Sequence, residues 1–301
     1  MLVKMGELLK HARENNYAVG YFESWNLESL LSVIDAAKRA ASPVIIGFGG
    51  MFLANPERRV EEDIYHYGAM GLGAAASSDI PMALLLNEAD RVDMIIKALK
   101  AGFNAVMYQD LNVDFDKTVE INKYIVKTAH YCGADVEAEV GCLPDADAAD
   151  GSIKGGETTD PDKAAYFVRE TGIDALAIAV GNVHLLEGRT AELDFGLIKE
   201  LRDKIDIPLV LHGGTGISPE ALGEAIDIGV CKLNVGTILK RIYIDHIKEY
   251  LEDTPVGSYN PQEIVGKGGK LDFLCGAREE MACEIVSFMK KLRSINMAKK
   301  M

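Results

Sequence analysis

The sequence predicts a (β/α)8 barrel, and three observations carry that prediction. Eight short β-rich runs recur along the 301 residues, most of them followed by an amphipathic helical pattern. The runs are apolar without strict alternation, as strands buried on both faces are. Eight strand–helix units in ~250 residues match the arithmetic of such a barrel. A doubly wound open sheet shares these counts and is the alternative. No linker or low-complexity run divides the chain, so residues 1–301 read as one barrel domain with a C-terminal helical extension.

In chain order the predicted strands are AVGYF (18–22), PVIIGF (43–48), PMALLL (81–86), NAVMY (104–108), DVEAEV (135–140), DALAIAV (174–180), IPLVLH (207–212) and CKLNV (231–235). After the first, NLESLLSVIDAAKRA (26–40) places Leu27, Leu30, Leu31, Ile34 and Ala37 on one helical face. DPDKAAYFVRETG opens with Asp160 as a cap and Pro161 at the first helical position, and stops at Gly172. PEALGEAIDIG repeats the grammar with Ser218, Pro219 and Gly229. The glycine-rich stretch from Gly257 to Gly276 reads as a loop leading to a C-terminal helix at 277–294.

Composition narrows the function classes. The chain is 48% hydrophobic and 26% charged, with 46 acidic against 32 basic residues and a net charge of -14. Nucleic acid and anionic membrane both need a basic face, so neither is the expected partner. Five cysteines without a C-x-x-C pair do not make a disulfide framework in a chain this long, and suggest a reducing compartment. The charged start MLVKMGELLKHAREN is unlike a secretory signal. No apolar run approaches the ~20 residues of a membrane span. A cytoplasmic location is expected.

Active sites of such barrels sit at the carboxyl ends of the strands, and a phosphate site commonly follows strands seven and eight. HGGTG closes the seventh predicted strand and leads into the helix at Ser218. Its glycines let backbone N–H groups approach an anion, and the helix dipole favours negative charge. NVGT, closing the eighth, offers Asn234 and Thr237 as donors. Either segment alone reads equally as plain turn chemistry; the two together suggest an anion cup. His184 and His212 follow the sixth and seventh strands, with Asn87, Glu88, Gln109, Asp110 and Glu139 at the other strand ends. One strand-end His is ordinary turn or core chemistry. Two imidazoles on neighbouring strands facing a carboxylate make a divalent-metal site with open positions.

DALAIAVGNVH, LDFGLIKELRDKIDIPLVLHGGTGISPEALGEAIDIGVCKLNVGT and AGFNAVMYQD with VEAEVG closely resemble the class II, metal-dependent fructose-bisphosphate/tagatose-bisphosphate aldolases. The likeness is strongest from about 160 to 250. It continues through Asn26–Gly141 and through GAREEMACEIVSFMKKLRS. The resemblance implies a metal-dependent lyase that cleaves a carbon–carbon bond of a phosphorylated ketose through a metal-stabilised enediolate. It implies one divalent ion, zinc by family, with His184 and His212 as ligands. It also implies a homo-oligomer, dimer or tetramer. Carried over by position, Gly213, Thr215, Asn234, Gly236, Thr237 and the backbone at Leu185 bind substrate and phosphate. Glu139 lies near the metal, and Arg278 meets the distal phosphate.

The chain departs from that family where its His-x-Asp-His-Gly motif would follow the third strand. Those places read Leu85, Leu86, Asn87, Glu88 and Ala89. Asn87 can hydrogen-bond but cannot exchange a proton as the family's Asp does. Glu88 in place of the third histidine gives a site of two histidines and one carboxylate, which admits Mn, Co or Fe beside Zn. Glu23, Glu88 and Asp110 are candidates for the displaced base. Glu23 and Trp25, with Gly47, Phe48 and Gly49, replace the family's polar first and second loops; Trp25 and Phe48 read singly as core residues, and together at strand ends as a reshaped pocket. The lysine that follows the family's metal histidine is replaced within LLEGR, where Arg189 is the candidate. Two other readings follow from these departures: an isomerase, epimerase or other lyase on the same scaffold, or a non-catalytic sugar-phosphate-binding relative.

Overall fold

The structure is a computed structural model that describes residues 1–146, 152–183, 190–253 and 260–301. Its strands are β1 (Val19–Ser24), β2 (Val44–Gly49), β3 (Met82–Ala89), β4 (Ala105–Tyr108), β5 (Asp135–Val140), β6 (Asp145–Ala146), β7 (Ile153–Lys154), β8 (Ala175–Ile178), β9 (Leu209–Leu211) and β10 (Val230–Val235). Its helices are α1 (Met5–Glu14), α2 (Leu27–Ala40), α3 (Gly50–Leu53), α4 (Ile64–Ala76), α5 (Val92–Lys100), α6 (Phe115–Tyr131), α7 (Pro161–Thr171), α8 (Phe195–Lys204), α9 (Pro219–Ile228), α10 (Thr237–Asp253), α11 (Pro261–Ile264) and α12 (Phe273–Lys291). Eight parallel strands close in the order β1-β10-β9-β8-β5-β4-β3-β2. The pairing of β1 with β10, from Val19↔Lys232 to Phe22↔Val235, decides between the barrel and the open sheet. β6 and β7 form a small antiparallel ribbon that the apolar runs did not announce.

Period-two alternation sorts every strand into an inner and an outer set. Val19, Tyr21, Ile45, Ala83, Leu85, Ala105, Met107, Ala175, Ala177 and Val210 fill the interior together with Met5, Leu8, Leu9 and Ala12 of α1. That helix therefore stoppers one end of the barrel. The outer set, such as Phe22, Ile46, Leu84, Leu86 and Leu211, packs under the surrounding helices. Among the described residues no helix is long and apolar enough to cross a membrane.

The punctuation read from the sequence produces the expected caps. Asp160 accepts from the backbone of Asp162 and Lys163, Ser218 accepts from that of Ala221, and Gly172 adopts the left-handed conformation after α7. Asn26 and Ser29 cap α2 reciprocally. Two expectations are corrected. Leu27 is 48% exposed, so the buried face of α2 is centred on Leu30, Val33, Ile34 and Ala37. The C-terminal helix begins at Phe273, earlier than 277, because Asp272 accepts from the backbone of Leu274 and starts it there; it ends at Lys291.

Candidate active site

The inner set continues past the apolar interior, and at the carboxyl ends of the strands it turns polar. Glu23 follows Val19 and Tyr21 on β1; Asn87 follows Ala83 and Leu85 on β3; Glu137 and Glu139 alternate on β5; His212 comes two residues after Val210. Two register breaks re-aim side chains here. β3 advances three residues, Leu86 to Ala89, while β4 advances two. Glu88 lies in this bulge with a φ of 51°, a left-handed conformation that costs a non-glycine residue of order 1 kcal/mol. The bulge brings both Asn87 and Glu88 to the cavity wall. On β10, Val230 and Lys232 face consecutive residues Leu209 and Val210, and this irregularity turns Lys232 inward.

His212 is the centre of the cluster. It is 1% exposed, with Nδ1 3.1 Å from Glu88 Oε1 and Nε2 3.0 Å from Glu137 Oε1. Asn234 Nδ2 lies 2.9 Å from His212 Nε2 and 3.4 Å from Asn87 Oδ1. Lys232 and Glu137, both fully buried, pair at 2.7 Å, and Lys232 also donates to Asn234 Oδ1. Lys232 Nζ stands 5.2 Å from the ring centre of Tyr21.

Burial alone would lower the affinity of His212 for a proton. The hydrogen bonds to Glu137 and Glu88, with the charges of Glu88 and Glu139, outweigh it and push the pKa up to about 10. Burial pushes Glu139 up to about 7; the charge of His212 opposes this, and those of Glu88 and Glu137 add to it. Glu137 remains below the ordinary carboxylate value: its desolvation is overcome by Lys232 and His212.

The residues fit a cation between His212 and Glu88. Two ligands of one ion, with bonds of about 2.1 Å at 90–109°, stand roughly 3.0–3.4 Å apart, and this pair is at 3.1 Å. With an ion in place of the Nδ1 proton, Glu137 on Nε2 would retain the other proton and keep Nδ1 aimed toward Glu88, as carboxylates behind metal-bound histidines do. Glu139 Oε1 is buried without a hydrogen-bond partner. Among the described residues no three His, Cys, Asp or Glu side chains form a complete ligand set. His184, Leu185 and Arg189 lie outside the described residues. The chain leading to them is anchored: Asn182, fully buried, donates to the carbonyl of His212 at 3.0 Å.

A cavity of about 410 Å³ opens over this cluster. Gly213, Thr215, Asn234, Gly236 and Thr237 all line it, as do Asn87, Glu88 and His212. Gly213 has a φ of 68°, and a Cβ there would come within 2.4 Å of the carbonyl oxygen of Val183, so the loop requires glycine. Gly214–Gly216 then makes one 3-10 turn ahead of α9.

Several expected residues stand elsewhere. Arg278 is paired with Asp35, at 2.6 Å, between α12 and α2, and is not among the cavity-lining residues. Phe48 is buried under the helices against Tyr67 and Phe103, because its strand parity points outward. Trp25 packs edge-on against Tyr243. Asp110 accepts from Asn112 in its own turn. The aromatic wall of the cavity comes instead from Phe52, beside Met51, on α3. Glu137, Lys232 and Lys240 also escaped the sequence reading. The i, i+2 pairs in DVEAEV and CKLNV were the available signal for the first two.

A closed parallel barrel with a histidine–carboxylate pair and a glycine-built loop at the carboxyl ends of its strands defines a class of enzyme-like scaffold. The chain belongs to the class II fructose-bisphosphate aldolases: the family model "Fructose-bisphosphate aldolase class-II" matches residues 3–297. That family is generally dependent on zinc or another divalent metal. YdjI of Escherichia coli K12 is 36% identical over 238 residues, which cover 79% of this chain and 84% of that protein. The crystal structure of the YdjI aldolase superposes with a TM-score of 0.80 at 30% identity, covering 99% of this chain and 100% of that one. A fructose-bisphosphate aldolase of Geobacillus stearothermophilus is 34% identical over 279 residues, 89% of this chain and 91% of that protein.

Proposed function

We propose that this chain is a divalent-metal-dependent carbon–carbon lyase acting on a phosphorylated ketose. The observation that carries the reading is the meeting, on one cavity, of the His212–Glu88 pair with the loop Gly213–Thr215 and with Thr237. Glu88, His212 and His184 would hold the ion. When bound, such an ion polarises a ketone oxygen and stabilises the negative charge that bond cleavage leaves behind. Gly213, Thr215 and Thr237, with the backbone at Leu185, take the phosphate. Asn234 and Asn87, 3.4 Å apart, hydrogen-bond the sugar hydroxyls. Glu137 and Lys232 keep the imidazole of His212 oriented. Glu139, with a pKa near 7, holds or releases a proton at neutral pH.

The test is elemental analysis of metal-replete protein together with cleavage of a panel of ketose phosphates, with and without chelator. About one divalent ion per chain is expected, lost on changing His184 and His212 to Ala. A protein with no bound metal, and no thermal shift on adding Zn²⁺, Mn²⁺ or Co²⁺, overturns the reading. Asn87 stands where the resembled family carries a proton-exchanging Asp, and that assistance is typically worth ~10²–10⁴-fold. Slow cleavage of fructose 1,6-bisphosphate is therefore expected; rapid, chelator-sensitive cleavage returns the chain to the ordinary substrate of the family. Asn87 also favours one second reading, isomerisation or epimerisation of the same class of ligand, recognised by a new sugar phosphate formed without release of aldehyde.

A further inference from the structure

Glu23 occupies a seat built for it. The residue is 7% exposed at the end of β1, and Lys240 Nζ lies 2.6 Å from its Oε2. Lys240 in turn stands 3.8 Å from the ring centre of Phe52. A Cβ on Gly49 would come within 2.5 Å of Glu23 Oε1, and one on Gly236 within 2.8 Å of Oε2. Gly49 ends β2 and Gly236 follows β10, the two strands that flank β1. Glycines on both sides thus leave the room that the carboxylate fills.

This arrangement bears on the charge a substrate can carry. Among the described residues lining the cavity, Lys240 is the one lysine or arginine. Lys232 is committed inside the barrel to Glu137, and Arg278 to Asp35. Lys240 is flanked by the rings of Phe52 and Trp25, and Met51, Leu111 and Leu143 are among the other apolar residues lining the cavity. Among the described lining residues, a second phosphate entering here meets no cation but Lys240, which it would take from Glu23. It would leave a nearly buried carboxylate without its counter-ion beside a dianion, an arrangement that repels strongly. Hydroxyl groups face no such cost, because a carboxylate accepts from them while keeping its lysine.

We propose that Glu23, clamped by Lys240 between Gly49 and Gly236, selects for a ketose that carries a single phosphate and is uncharged and hydroxylated where it meets Glu23. The proposal rests on the phosphorylated-ketose reading above and narrows it. Asn87 is unchanged in every variant compared below and meets the hydroxyls of both ligands, so the ratio of their affinities isolates the role of Glu23.

The experiment is titration calorimetry of metal-loaded protein with a hexitol 1-phosphate and the matching hexitol 1,6-bisphosphate, which lack the ketone and are not cleaved. The wild type is expected to bind the monophosphate at least about tenfold more tightly. Glu23→Gln, nearly isosteric and neutral, releases Lys240 and brings the two affinities within about threefold. Lys240→Met widens the preference, and decides the matter if Glu23→Gln does not fold. Equal or tighter binding of the bisphosphate by the wild type overturns the proposal, as does a ratio that neither folded variant moves. Binding of neither ligand overturns both this proposal and the phosphorylated-ketose reading. A tenfold preference in a protein that cleaves no ketose phosphate upholds the selectivity and removes only the lyase reading.

Discussion

The two ends of the barrel are built from the same strands by the same alternation, yet they obey opposite rules. At the end stoppered by α1, the inward positions are Tyr17, Val19, Ile45, Ala83 and Ala105, packed on Met5, Leu8, Leu9 and Ala12. At the other end the inward positions are Glu23, Asn87, Glu137, Glu139, His212 and Asn234. The first end lowers free energy by removing apolar surface from water. The second concentrates three carboxylates around one imidazole and one buried lysine, and holds Glu88 in a left-handed backbone. Stability is spent there on geometry.

The sharpest way to break this contrast is Glu88→Gly. Turnover of the best ketose phosphate is expected to fall about 10³-fold or more, a barrier increase of about 4 kcal/mol. Urea unfolding should show a net change within about 1 kcal/mol, because glycine relieves the positive φ while the contact with His212 is lost. A variant both active and destabilised would mean that Glu88 serves the fold. Lys232→Met comes next. Removing one half of a fully buried ion pair leaves Glu137 uncompensated and should cost about 3–5 kcal/mol, with much of it regained in the double variant Lys232→Met, Glu137→Leu. A loss below about 1 kcal/mol would show the pair to be dispensable. At the opposite end, Leu9→Ala should cost about 2–5 kcal/mol by opening a cavity under α1. Its turnover per folded molecule should match the wild type; a proportional fall in turnover would show that the two ends are coupled.

The smallest effect concerns Glu139. Its folded pKa of about 7 lies above the ordinary 4.5, so the folded state holds a proton that the unfolded chain releases. Its favourable balance is complete below pH 4.5 and is lost as the pH rises through 7. In chelator, Glu139→Gln should leave stability at pH 4 nearly unchanged and raise it at pH 8 by about 1–3 kcal/mol. A variant equally stabilised at both pH values would point to packing instead of ionisation.

The elements that the sequence announced are those whose signals are local. Apolar runs bounded by Gly and Pro located all eight barrel strands, and Asp160, Ser218 and Gly172 marked their helices because caps act within three or four residues. The histidine–glycine loop was legible for the same reason. Parity was harder to read: Phe48 could belong to the core or to the pocket, and its strand's register, which turns it outward, decides for the core. Glu137 and Lys232 attract no notice as single letters, and acquire meaning only when barrel closure sets them 2.7 Å apart. Lys240 and Phe52 reach the cavity from α10 and α3, outside any strand, so no strand-end inspection finds them. Arg278 failed because its partner, Asp35, is distant in sequence and near in space.

The stopper helix also bears on the order of assembly. α1 is made before every strand of the barrel, yet it shares one core with Val210 of β9 and Cys231 of β10, about 200 residues later in the chain. Its salt bridge from Arg13 to Asp206 spans a similar stretch. Synthesis at ≈ 5–20 residues per second places at least about ten seconds between the two halves of that contact. For that interval Met5, Leu8 and Leu9 have no finished barrel to enter. The growing chain therefore carries an apolar helix without its full set of partners until β10, the last barrel strand, is made.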